Sequence, residues 1–251
     1  MHKLLCLLFV SLLFIDCKKK HNLYPDTKIY IKNQDSSWAR GRYFERIEEF
    51  KAKPIGYNKI VFLGNSIVKG GGDWNKRFNT SNIVNRGISG DITEGVLKRL
   101  DEIVFYKPVA VFLLIGFNNF FTDYNSNSEI TPKYVYDNIV LIAKNIKKFS
   151  PTTKVYIQTI MPMNNKKYIE TTASYPFLDN SYKPSINTQI KKVNELLRET
   201  SDFNVIDIYP FFINGDGILK SDLSDDGIHP NQNGYSTWVH ILRPYIKDIK
   251  N

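Results

Sequence analysis

The sequence predicts an α/β fold, a parallel sheet covered by helices on both faces. Two observations carry this. From about residue 38 onward, short apolar runs alternate with stretches of helical period. One run, VAVFLLIG at 109–116, is apolar throughout, as a strand buried on both faces should be.

The elements follow in order. WARGRYFERIEEF (38–50) puts Tyr43, Ile47 and Phe50 on one face and Arg42 and Glu45 elsewhere, the pattern of a surface helix. Pro54 and Gly56 break the chain after it. KIVFLG (59–64) reads as a first strand bounded by Gly64, and IVN (83–85) as a second that ends by Gly87. TEGVLKRLDEIVFY (93–106) spaces Val96, Leu97, Leu100, Ile103 and Val104 as one helix. The strand at 109–116 comes next. A helix over 131–149 is carried by Val135, Ile139, Ile142 and Ile146. KVYIQTI (154–160) and FNVIDI (203–208) are strands. They flank a helix over 185–200, carried by Ile186, Ile190, Val193 and Leu197. A closing helix over 233–246 buries Trp238, Ile241, Leu242 and Tyr245, and His240 falls off that stripe. There is no internal repeat and no second domain boundary.

Composition narrows the chemistry. The chain has 251 residues, 42% hydrophobic and 24% charged. That suits one α/β domain or two small ones and excludes disordered, collagen-like and coiled-coil classes for the bulk of the chain. Only two cysteines occur, Cys6 and Cys17, so the part beyond them has no internal disulfide, thiolate zinc site or cysteine nucleophile. Beyond the N-terminal tail the only histidines are His229 and His240, which excludes a histidine-rich metal site. Carboxylates remain available for a hard cation. The net charge of +9 includes lysine pairs at 147–148, 166–167 and 191–192, but these are scattered and no nucleic-acid motif accompanies them. Such charge favours anionic glycans or lipid headgroups instead.

The first 17 residues, MHKLLCLLFVSLLFIDC, place Lys3 before an apolar run from Leu4 to Ile15. At 12 residues the run is too short to span a bilayer and has the length of a signal-peptide core. It resembles a bacterial lipoprotein signal with Cys17 as the lipidated residue, although Asp16 stands where a small residue is usual. The expectation is a signal peptide over 1–16 and a polar tether over 17–37 with a lipid anchor at Cys17. A folded domain over 38–251 follows, expected to be exported to a cell envelope and held at the membrane.

In an open parallel sheet, ligands bind beyond the carboxyl ends of the strands. Gly64-Asn65-Ser66 follows the first predicted strand, and Asn85-Arg86-Gly87-Ile88-Ser89-Gly90-Asp91 spans the end of the second. Gly116-Phe117-Asn118-Asn119 closes the third, and Asp225-Asp226-Gly227-Ile228-His229-Pro230 follows the last beyond a loop. Singly these are weak signals: Ser66 suits a helix N-cap, Gly87 and Asn118 suit turns, and Asp226 with His229 suits a loop ion pair. Together they suit acyl transfer. A serine hydroxyl needs a base, which His229 can be, and the base needs an orienting acid. Asp226, three residues earlier, is one candidate; Asp225 and Asp207 compete. The Ser66 and Gly87 backbone N–H groups and the Asn118 amide are available to a developing oxyanion.

With these residues the chain resembles the SGNH, or GDSL-type, esterase/lipase family. Four blocks stand in family order: FLGNSI around Ser66, NRGISGD around Gly87, IGFNN around Asn118 and DGIHPNQNGY containing His229. They cover residues 59 to about 245. Asn65 stands where the family name has aspartate, and Phe117 and Asn119 stand where Thr-Asn-Asp is more usual. The resemblance implies a flavodoxin-like three-layer α/β/α sandwich with a five-stranded parallel sheet. It also implies a Ser66-His229-Asp226 triad, an oxyanion hole from Ser66, Gly87 and Asn118, and no cofactor. Asn65 and Phe117 are expected to touch substrate. The expected substrate is a short-chain acyl ester, with O-acetyl groups on carbohydrate foremost. A lysophospholipase-like activity and a non-catalytic glycan-binding role are the alternatives. The segments 117–124 and 161–184, both rich in aromatics, are expected to select substrate.

Overall fold

The computed structural model describes residues 22–34, 36–121, 130–172 and 185–250. The expected signal peptide, Cys17 and parts of both expected selectivity segments lie outside them. The elements run in the order α1 (Ser37–Ala52), β1 (Ile60–Gly64), α2 (Ser66–Gly70), α3 (Trp74–Phe78), β2 (Ile83–Gly87), α4 (Thr93–Leu97), α5 (Asp101–Tyr106) and β3 (Ala110–Leu114). Then come α6 (Phe117–Phe121), α7 (Pro132–Phe149), β4 (Lys154–Gln158), α8 (Asn165–Thr172), α9 (Ile186–Arg198), β5 (Asn204–Ile206), α10 (Tyr209–Phe212) and α11 (Gln232–Lys250). The five strands are all parallel, in spatial order β2-β1-β3-β4-β5. This is the doubly wound α/β sandwich expected from the sequence.

The pleat distributes the core. Val61, Leu63, Val111, Leu113, Val155 and Ile157 point to one face, where they join Val96, Ile139, Ile142, Ile190 and Val193 of the helices. Ile60, Phe62, Ala110, Phe112, Leu114 and Tyr156 point to the other, beneath Trp74, Phe78, Trp238 and Leu242. Each strand therefore feeds two cores by its period of two, and the central strands β1 and β3 are buried along their whole length.

Two local expectations are corrected. The stretch 93–106 is not one helix: α4 ends at Leu97 and α5 starts at Asp101. The chain gives way at Arg99, whose buried guanidinium turns inward to the Gly64 and Arg86 carbonyls. Residues 22–34, within the expected tether, fold onto the domain. Ile31 is buried with Tyr43 and Ile47 of α1, the Tyr24 hydroxyl donates to Glu102, and Asn33 donates to Glu94.

Candidate active site

Ser66 sits where β1 meets α2. Gly64 ends the strand, and Asn65 takes an extended conformation (φ −98°, ψ −152°) before the helix begins. The Asn65 side chain accepts the Ile67 N–H at 3.0 Å, satisfying one of the unpaired amides of the helix start. Ser66 is left half-buried at the carboxyl edge of the sheet.

His229 arrives from the loop before α11, a loop closed by the Ser224–Pro230 bridge. Its Nδ1 lies 2.6 Å from Asp226 Oδ2, and its Nε2 lies 2.9 Å from Ser66 Oγ. Asp226 Oδ1 accepts the N–H groups of Ile228 (2.8 Å) and His229 (2.7 Å) and the Ser224 hydroxyl (3.2 Å). Partial burial pushes the Asp226 carboxyl up, but hydrogen bonds from the His229 ring and the two amides outweigh it. They hold the group well below the usual carboxylate range. With Nδ1–H facing that carboxylate, Nε2 is the nitrogen that accepts the Ser66 proton. The competing acids are engaged elsewhere: Asp225 accepts from Asn231, and Asp207 is paired with Arg198 at 2.8 Å. His240 is exposed on α11.

Asn118 lies in α6 and donates one amide proton to the Asp91 carbonyl at 2.8 Å; its second amide proton has no acceptor among the described residues. Ile88 donates to the Gly64 carbonyl at 3.1 Å, so the segment 88–91 bridges the turn that carries Ser66 and Asn118.

Gly87 is a correction. Its N–H donates to Asn85 Oδ1 at 2.9 Å, and the residue is buried at the end of β2. A Cβ here would lie 2.2 Å from the Lys69 nitrogen, so the glycine serves close packing of α2 on β2. Gly90 is the residue that sequence reasoning missed. It is half-buried with φ +78°, and no described residue accepts its N–H. The signal available was the Gly-Asp pair closing the NRGISGD block, where a left-handed turn turns an amide outward.

Buried charges brace this edge. Asp91, fully buried, receives two hydrogen bonds from Arg99 (2.8 and 3.0 Å), and Arg99 also donates to the carbonyls of Gly64 in β1 and Arg86 in β2. Burial pushes the Asp91 carboxyl up to about 6 against the pull of Arg99. Glu94 accepts from Asn33 and Tyr134 at Oε1 and from Thr93 and Asn119 at Oε2. Asn119 in turn accepts the Thr93 N–H at 3.1 Å, which fixes α6 and hence Asn118.

Two further expectations are corrected. Asn65 is 1% exposed and occupied as a helix cap, so it does not offer its side chain to substrate. Phe117 is 2% exposed and lies in the core cluster with Val135, Ile139 and Ile160, so it fills the interior behind Asn118. Of the 161–184 segment, 165–172 forms α8, with Tyr168 buried; Tyr175, Phe177 and Tyr182 lie outside the described residues. Among the described residues no group of three or more His, Cys, Asp or Glu is placed to hold a metal ion.

Comparison with known proteins gives the family and the fold. A model of the GDSL-like Lipase/Acylhydrolase family matches residues 62–236. The chain is 24% identical over 197 residues to the rat platelet-activating factor acetylhydrolase IB subunit alpha1, covering 75% of each chain. Among solved structures it superposes on a GDSL-like lipase of Bacteroides thetaiotaomicron with a TM-score of 0.65 at 20% identity, covering 82% of this chain and 97% of that one. It also superposes on an acetyl xylan esterase with a TM-score of 0.56 at 17% identity, covering 75% of this chain and 99% of that one.

Proposed function

The chain belongs to the GDSL-like Lipase/Acylhydrolase family and is an ester hydrolase; from that premise we propose that it removes short acyl groups, acetyl foremost, from carbohydrate esters, with Ser66 as nucleophile. The observation that carries the nucleophile assignment is the continuous hydrogen-bond path from Ser66 Oγ through His229 to Asp226.

Ser66 Oγ attacks the ester carbonyl while His229 Nε2 takes its proton. Asp226 stabilises the imidazolium and keeps the ring in the required tautomer. The tetrahedral oxyanion is met by the Ser66 N–H, the free amide proton of Asn118 and the Gly90 N–H, which takes the part expected of Gly87. His229 then protonates the leaving alcohol. A water, deprotonated by the same nitrogen, attacks the acyl-enzyme and releases the acid.

The short-acyl reading is supported by the acetylhydrolase name of the rat relative and the fold shared with an acetyl xylan esterase. On the sequence of residues 1–17 alone, we place the enzyme outside the cytoplasm, tethered through Cys17.

The test is hydrolysis of p-nitrophenyl esters from acetyl to dodecanoyl, with Ser66→Ala alongside. Turnover falling with chain length and lost in Ser66→Ala is the expected result. A profile that rises towards dodecanoyl overturns the acetyl reading in favour of a lysophospholipase-like enzyme. Turnover that survives in Ser66→Ala overturns the nucleophile.

A further inference from the structure

A cavity of about 310 Å³ opens between α3 and α11, lined by Arg77, Gln232, Ser236, Val239, His240 and Arg243. No carboxylate lines it. Gln232, Ser236, His240 and Arg243 follow one another at intervals of three or four residues, so they form one stripe of α11. Arg77 faces that stripe from α3. It is the anchored member: Nε donates to the Gly71 carbonyl at 2.6 Å, one terminal nitrogen reaches Gln232 Oε1 at 3.4 Å, and the guanidinium lies 4.5 Å from the centre of the Tyr235 ring. Its remaining N–H groups, like those of Arg243 and His240, have no acceptor among the described residues.

One hydrogen bond ties the wall of the cavity to the chain next to Ser66. The Tyr235 ring that carries Arg77 donates its hydroxyl to the Ile67 carbonyl at 2.9 Å, one residue after Ser66. Gln232 lies three residues after His229. The stripe from Gln232 to Arg243 then runs about 16 Å down the flank, at 1.5 Å per residue.

We infer that this cavity binds a tetrahedral oxyanion, a phosphate or sulfate group. Two guanidinium groups without a facing carboxylate among the described residues supply charge, and they and the imidazole supply directional donors, the chemistry that recognises such groups. One source is a substrate that carries the anion several bonds from its ester; the other is the free ion. The cavity is lined by α3 and α11, which include neither Ser66 nor His229, and phosphate binding there does not need hydrolysis, so it can be absent while the esterase reading survives.

The experiment titrates inorganic phosphate into the full chain by calorimetry, at ionic strength held constant with chloride, for wild type, Arg243→Gln and Arg243→Glu. Both changes lie on an exposed helix face. Saturable phosphate binding is expected in the wild type, weakened about tenfold in Arg243→Gln by loss of one charge-assisted hydrogen bond and absent in Arg243→Glu. Phosphate heat no greater than that of chloride, or affinity unchanged in Arg243→Glu, overturns the inference. A kinetic arm then separates the sources. If the anion belongs to the substrate, Arg243→Gln raises KM for an acetylated sugar phosphate and leaves p-nitrophenyl acetate hydrolysis unchanged. If the site serves free phosphate, the two esters behave alike in the variant while the calorimetric binding persists in the wild type.

Discussion

Asp226 holds His229 by two kinds of bond at once, one carboxylate oxygen on the ring and the other on the backbone amides of Ile228 and His229. Replacing it by Asn keeps the size but presents a donor or a weaker acceptor to Nδ1, so the ring loses its tautomer and its counter-charge. Asp226→Asn is expected to lower kcat about 10⁴-fold with little change in KM, measured on p-nitrophenyl acetate; a loss confined to KM would assign the residue to substrate binding instead. Asn119 shows how one departure from the family pattern is accommodated. Its amide donates to Glu94 and its oxygen accepts from Thr93, whereas an aspartate would set a second carboxylate against buried Glu94. Ser66 and His229 were legible in the sequence because each lies at a strand end or a loop with a chemically distinct side chain. The choice among Asp225, Asp226 and Asp207 was not legible from the residues alone, since it turns on which acid the fold brings to the His229 ring.

The element α6 begins at Phe117 and carries Asn118 on its first turn, so the two neighbours have opposite surroundings: Phe117 points into the core, and Asn118 points to the Asp91 carbonyl. Phe117→Ala is therefore expected to cost about 3–5 kcal/mol of stability, read by urea unfolding. The relative rates across acyl lengths should stay as in wild type. A shifted acyl profile in a fully stable variant would return Phe117 to the substrate pocket. The pairing of α2 with β2 shows the same logic. Asn85 donates to the carbonyls of Val68, Lys69 and Gly72, and Gly87 admits the Lys69 backbone. The NRGISGD block is thus partly a clamp on the helix that starts at Ser66, which its sequence pattern does not reveal. The helix break at Arg99 was equally hidden. Its apolar spacing reads as continuous, and only the carbonyls of β1 and β2, brought together by the sheet, explain why the arginine turns inward.

At the scale of the molecule, two carboxylates of the site act on stability with opposite sign. Asp226 is held low, so its contribution is present above the ordinary carboxylate value of 3.8 and is lost only in stronger acid. Asp91 is raised from 3.8 to about 6, so the folded state binds the extra proton. Its contribution is full below 3.8 and is lost as pH rises through about 6. Unfolding free energy is expected to decline across that window in wild type, and Asp91→Asn should lack this decline. Parallel pH profiles of the two proteins would show that Asp91 keeps an ordinary value.

The sequence by itself determined the layer order and the edge at which chemistry occurs. Periods of 2 and 3.6 and the residues that follow each strand are short-range properties, written within a few positions of one another. Tertiary structure alone decided which groups remain free to act. Whether the amide of Gly87 or Gly90 is available, and whether Phe117 and Asn65 face substrate, depends on Asn85, Lys69, Val135 and Ile67 closing around them. The docking of residues 22–34 onto Glu94 and Glu102 is of the same kind. These are questions of burial and hydrogen-bond satisfaction. Their partners lie up to dozens of residues away, and no local pattern encodes a partner that only the closed sheet supplies.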